Sequence, residues 1–128
     1  MRGMSKKDTL ACQVSLGLFA GLLGIASTAH GAAPNGVPAL DDKGVRAGDV
    51  TVHDYDAGTQ TLNITSNSDN NVIGWKDFSI EKNHTVQFDS GTQTHNYLNV
   101  VTGKVTSHID GNITGGKNVY IANTNGVV

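Results

Sequence analysis

The feature that most narrows what this chain can fold into is its last third, Asn96 to Val128, NYLNVVTGKVTSHIDGNITGGKNVYIANTNGVV. Short apolar pairs alternate there with Asn, Gly, Asp and Thr. Alternation at period two sends successive side chains to opposite faces of a strand. Gly/Asn clusters a few residues apart end each strand almost as soon as it begins. Such a stretch suits strand stacked on strand. The pattern is still running at Val127-Val128, where another strand would start, so the sequence reads as the leading part of a longer domain cut at its C-terminal end.

The same period holds upstream. Val50 and Val52 alternate with polar residues. After the turn Asp56-Ala57-Gly58, Leu62 and Ile64 flank Asn63, and SNSDNN (66–71) is a turn by composition. Val50–His53 and Gln60–Thr65 are expected to pair as a hairpin. Trp75, Phe78 and Ile80 form an apolar set, Val86 and Phe88 flank Gln87, and Tyr97–Val101 is a further strand. Ile113 begins another, and Val119 with Ile121 another still. No helical period is sustained after residue 31. The chain is therefore expected to be all-β. Its strand spacing alone fits a sandwich, a barrel or a β-solenoid. Three details favour the solenoid: very short strands, Gly/Asn corners in place of two-residue hairpin turns, and Asn beside the apolar pairs, where side-chain amides can bond successive rungs. No strict sequence repeat is visible.

Residues 1–31 read as a signal peptide. Arg2, Lys6 and Lys7 make a basic start, VSLGLFAGLLGIA (14–26) is uncharged and apolar, and Ala29-His30-Gly31 has the small-residue spacing of a cleavage site. The apolar run falls short of the roughly 20 residues of a spanning helix. Cys12 precedes that run, which is the wrong side for a lipid anchor. Residues 32–48, AAPNGVPALDDKGVRAG, read as a linker or lead-in segment, either flexible or an ordered cap. Residues 49–128 are the β domain.

From residue 32 onward there is no cysteine, six Lys/Arg stand against ten Asp/Glu, and no basic cluster exists. Nucleic acid and anionic membranes are poor partners for such a surface. A chain exported to a compartment that permits disulfides has none, so it must rely on packing and hydrogen bonding. No catalytic constellation, cofactor motif or metal site is expected. His53, His84, His95 and His108 lack ligand-type spacing. Asp54-Tyr55-Asp56-Ala57-Gly58 has only the start of a calcium loop and reads as a polar turn. Trp75 and Phe78 would serve as an aromatic sugar platform or as core, and core is favoured.

The residues from Asn71 to Val128 resemble a known family. The resemblance rests on Asn71-Val72-Ile73-Gly74-Trp75-Lys76-Asp77-Phe78-Ser79-Ile80, Val86-Gln87-Phe88, Leu98-Asn99-Val100-Val101-Thr102-Gly103, Ser107-His108-Ile109-Asp110-Gly111 and Asn118 through Val128. It is to the N-terminal secretion domain of two-partner secreted exoproteins of the filamentous haemagglutinin type, also found on growth-inhibition toxins. The resemblance implies a right-handed parallel β-helix with an N-terminal β cap, for which 49–65 are the candidate residues. It implies a secretion-targeting role in a large adhesin- or haemagglutinin-like or growth-inhibition exoprotein, secreted or held at the cell surface. The implied partner is an outer-membrane β-barrel transporter, and a host-surface or neighbouring-cell receptor would be met through later regions of the protein. The secretion motif would be Asn123, Thr124, Asn125 and Gly126, with Trp75, Phe78, Leu98, Asn99, Ile109, Asp110 and Gly111 as structural motif residues. The family usually has Pro where this chain has Thr124. Pro presets φ at that turn position, so Thr leaves the unfolded loop freer by about 0.4–1 kcal/mol. Ile109, Ile113, Val119, Ile121 and Val127 would point inward, and Gly111 and Gly126 would take positive φ at corners. Two alternatives from other classes are a freestanding surface adhesin module and a β-helix carbohydrate-active enzyme.

Overall fold

The computed structural model describes residues 35–128. The signal-peptide reading of residues 1–31 lies outside the described residues. Among the described residues eight strands follow one another: β1 (Ala39–Ala47), β2 (Val50–Val52), β3 (Thr61–Ser66), β4 (Asn70–Asp77), β5 (Thr85–Phe88), β6 (Asn96–Val101), β7 (Asn112–Thr114) and β8 (Asn118–Ala122). A single 3-10 turn, Asp89–Gly91, is the one helical element among the described residues.

The described residues are all-β apart from that turn and form two mixed four-stranded sheets, ordered β1-β4-β6-β8 and β2-β3-β5-β7. In each sheet the first pair is antiparallel, β1 on β4 and β2 on β3. The rest is parallel: β4 with β6 and β8, and β3 with β5 and β7. Two single bridges, Ile80 with Ile109 and Ser107 with Val127, add a third parallel contact line. The path thus runs from the second sheet to the first, through the bridge line, and back to the second sheet one strand further on.

Register explains which residues are buried. Parallel pairing aligns Leu62, Val86 and Ile113 in one column of the second sheet, and Asn71, Tyr97 and Val119 in one column of the first. Ile73, Asn99 and Ile121 make the next column. Side chains two residues apart share a face, so these columns all point between the sheets. Ile64, Ile73, Trp75, Phe78, Ile80, Val86, Phe88 and Tyr97 have no exposed surface there. Each such apolar side chain contributes about 1.5–3 kcal/mol gross. The outward columns are Asn70-Asn96-Asn118, Val72-Leu98-Tyr120 and Gly74-Val100-Ala122.

The expected hairpin is present, with Val50 opposite Ser66, Thr51 opposite Thr65 and Val52 opposite Ile64. Asn side chains do bond from rung to rung: Asn96 Nδ2 donates to Asn70 Oδ1 at 2.9 Å and Asn118 Nδ2 to Asn96 Oδ1 at 2.9 Å. Within the segment 32–48, read from composition as linker or lead-in, Ala39–Ala47 form the nine-residue strand β1. Its turn-like DDKG stretch is a bulge in that strand, not a break in the chain's β structure. One inward expectation needs correction. Ile109, Ile113, Val119 and Ile121 pack against the core, but Val127 is 44% exposed because no later strand of the described chain lies over it.

Candidate functional site

The corner Asn123–Gly126 is built by its own first residue. Gly126 N–H donates to Asn123 O at 3.0 Å, closing a four-residue turn. Asn123 Oδ1 accepts from Asn125 N–H at 2.8 Å, the side chain standing in for a further turn of backbone. Gly126 has φ of 101°, a conformation that a β-carbon disfavours. Thr124 and Asn125 keep negative φ, so Thr at the second position fits without strain.

Both Asn side chains then reach the preceding layer. Asn123 Nδ2 donates to Val105 O and to the buried Ser107 Oγ, each at 2.9 Å. Asn125 Nδ2 donates to Gly103 O at 3.1 Å. In return Thr106 Oγ1 donates to Asn125 O at 2.9 Å, and Ser107 N–H to Gly126 O at 3.0 Å. The corner is thus clamped on residues 103–107 by amide groups that use both donor and acceptor ends. Thr124 is exposed at its tip.

Beneath it lies the second motif. Ile109 bridges Ile80, and the N–H groups of Asp110 and Gly111 both donate to Ile80 O, at 2.8 and 2.9 Å. Gly111 does not have positive φ, contrary to the expectation from the sequence. Glycine is required there for room: a β-carbon would sit 2.4 Å from His84 O and 2.5 Å from both Glu81 O and Ile80 Cγ2.

Trp75, Phe78 and Asn99 meet in the core. The Trp75 and Phe78 rings stand edge to face, with centroids 5.3 Å apart. Trp75 Nε1 donates to Asn99 Oδ1 at 2.9 Å, and Asn99 Nδ2 donates to Tyr120 O at 3.1 Å. Both aromatic rings are fully buried, which removes them as a surface sugar platform. Leu98 points outward, 36% exposed beside Val72 and Tyr120, and joins none of these clusters.

Sequence reasoning missed a buried polar knot at the corner between β5 and β6. Asp89 is 8% exposed and, like Ser90, has φ of 54°. Tyr97 Oη donates to Asp89 Oδ1 at 2.5 Å, with His95 Nδ1 2.8 Å from the same oxygen. Oδ2 accepts from the N–H groups of His95 and Thr94, at 2.8 and 3.3 Å. Burial pushes the Asp89 carboxyl up, but the hydrogen bonds from Tyr97 and His95 more than offset this and hold it below the usual range. Burial and the same carboxylate push the Tyr97 phenol upward. In the sequence, DSGTQT signals only a break between strands. No local motif there links Asp89 to Tyr97, which the fold brings together across the corner.

These residues form an architecture of clamps. The comparisons with known proteins decide what it belongs to. The family model described as TPS secretion domain matches residues 38–128. The chain belongs to the TPS secretion domain family. As a TPS domain it is a two-partner secretion targeting domain, of the kind carried by secreted exoproteins. The chain is also similar to a heme/hemopexin-binding protein of Haemophilus influenzae, 36% identical over 81 residues. That stretch is 63% of this chain and 8% of the relative, so the chain spans a small part of its relative's length. The TPS match takes in β1 through β8 and every clamp described above.

Proposed function

We propose that this TPS domain forms the leading coils of a right-handed parallel β-helix and directs export of a large non-catalytic exoprotein through a partner outer-membrane β-barrel transporter. The family match over residues 38–128 is the observation that carries the reading. The three parallel contact lines support the helical path, and parallel crossovers in sheets are right-handed in nearly all cases. The antiparallel pairs β1–β4 and β2–β3 then form the cap that shields the first coil from pairing with other chains. Residues 1–31 would be the signal peptide that brings the chain to the periplasm. The Asn123–Gly126 corner would be the secretion motif, its clamped geometry fixing the order of the coils the transporter reads. Lack of cysteine after residue 31 suits threading through a barrel, because no cross-link has to be opened. Stacking of each new coil on the last would help draw the chain outward.

The test is co-expression of the gene with its outer-membrane transporter, with the mature product assayed in the medium. Export should stop when the transporter is deleted, and unchanged export would end the reading. Asn123→Ala and Asn125→Ala should each lower export. Wild-type secretion by both variants would remove the motif role while leaving the transporter role standing. A second reading concerns the whole exoprotein. The relative's name favours heme or hemopexin as the target of its later regions. Retention of the full-length product on hemin-agarose would support that, and passage through the column would oppose it.

A further inference from the structure

β1 pairs irregularly with the rest of its sheet. Its partners on β4 run Ala39 with Asp77, Leu40 with Trp75, Val45 with Ile73 and Ala47 with Val72, with a register shift at every step. Asp41 to Gly44 therefore bulge out opposite Gly74. Asp41 closes the bulge from within, its Oδ1 accepting from Lys43 N–H at 3.1 Å and Gly44 N–H at 2.8 Å. Its Oδ2 holds the Arg46 guanidinium and also accepts from Thr102 Oγ1, at 2.8 Å. Thr102 lies one residue past β6, and its own N–H donates to Trp75 O at 2.8 Å. One carboxylate thus ties β1 to the end of β6, across β4. The crossing needs Gly74, where a β-carbon would come 2.3 Å from Arg46 Nε and 2.5 Å from Asp41 Oδ2. Asp41 is well shielded, its side chain 11% exposed, while Arg46 is 32% exposed.

We propose that β1 is a strap: it closes over the β4 edge only after β6 has docked, Asp41 holds it shut, and it can open while both sheets stay folded. The order of closing follows from the clip. Thr102 is 61 residues from Asp41 and is placed by its bond to Trp75, so the strap's second anchor does not exist until β6 lies on β4. Local opening follows from what β1 buries. Within the strand only Gly44 is fully covered, and Leu40 is 40% exposed, so opening uncovers little apolar surface. Segments with few buried apolar contacts are the ones that open without global unfolding. An open strap bares the N–H and C=O groups of β4, a template for another strand. The sequence shown to fit that edge is β1 itself, so the occupant is the β1 strand of a second copy.

The experiment is hydrogen exchange on the folded full chain, comparing the parent with Thr102→Val and Asp41→Ala. Loss of one hydrogen bond to a charged group should speed exchange of the β1 amides about tenfold or more in Thr102→Val. Asp41→Ala should speed it further, and amides of β5 to β8 should hold their rates in both. A fluorescent peptide of residues 39–47 should bind the variants and not the parent. Exchange that rises evenly across both sheets, an unchanged β1, or open variants that ignore the peptide would each overturn the strap. If Asp41→Ala does not fold, Thr102→Val alone separates the same outcomes.

Discussion

Asn99→Leu should be among the more damaging single changes in this domain. Asn99 is fully buried, and its Oδ1 is the acceptor for the indole N–H of Trp75, itself fully buried. Leucine keeps the site filled but orphans that N–H in apolar surroundings, at about 1–3 kcal/mol. The lost bond to Tyr120 O adds less, because Tyr120 is 58% exposed and water can replace the donor. The sum is about 1.5–3.5 kcal/mol. With a urea slope of about 1 kcal/mol/M for a small chain, the midpoint should fall by about 1.5–3.5 M. Circular dichroism is the readout, because the decisive control removes the sole tryptophan. That control is Trp75→Phe. With donor and acceptor both replaced neither is orphaned, so the double variant should cost at least about 1 kcal/mol less than the two single changes together. Any packing strain from leucine is present in both backgrounds and cancels. A midpoint shift below about 0.5 M, or strictly additive costs, would refute the reasoning.

Three further outcomes follow from the same geometry. Asp41 lies at about 2 against an ordinary 3.8: burial pushes it up, and the hydrogen bonds from Thr102 and Gly44 with the Arg46 charge bring it down. Asp89 is lowered too. A depressed carboxylate stabilises the fold above its unfolded value and loses that contribution as pH falls through its folded value. Urea midpoints should therefore hold above about pH 4 and drop toward pH 2, and a flat profile would count against both networks. Tyr97→Phe removes one donor to a charged, buried acceptor and should cost about 1.5–3 kcal/mol by urea titration; a neutral result would show that the Asp89 knot carries no weight. Gly111→Ala should cost about 2 kcal/mol or more in thermal melts, from backbone overlap. Gly58→Ala, whose β-carbon would meet only the exposed Asp56 Oδ1, at 3.3 Å, should cost clearly less than Gly111→Ala.

The parts legible in the sequence are those where period two is undisturbed. Val50 with Val52, Leu62 with Ile64, and Val86 with Phe88 announce their strands because each inward residue is flanked by polar ones. β1 is obscured because DDKG has the composition of a turn; the bulge is held by a carboxylate whose partner Thr102 lies far along the chain. The third contact line is equally hidden, since a single bridge such as Ile80 with Ile109 leaves no run of alternation to read. At the corner Asn123–Gly126 the turn itself is legible, because Asn and Gly have local reasons to be there. The downward bonds to Gly103, Val105 and Ser107 are not, since sequence spacing carries no height. Gly111 shows the limit of residue-type rules: the glycine stands out in the sequence, and its reason is proximity instead of dihedral freedom.

The column Asn70, Asn96, Asn118 has a consequence for how such a domain can change over time. The chain takes 26 residues to travel from the first of these asparagines to the second and 22 to reach the third, yet the three amides meet at the same 2.9 Å. The strands are therefore aligned by an identity mark that each carries at its start, and not by a fixed count of residues between them. A slip that brought Tyr97 or Val119 into the column would set a non-amide side chain against an amide and break the chain of bonds. The difference in length therefore falls in the corners between strands and leaves the alignment of the strands intact. Variation in length can accumulate at the corners while the strands remain in step.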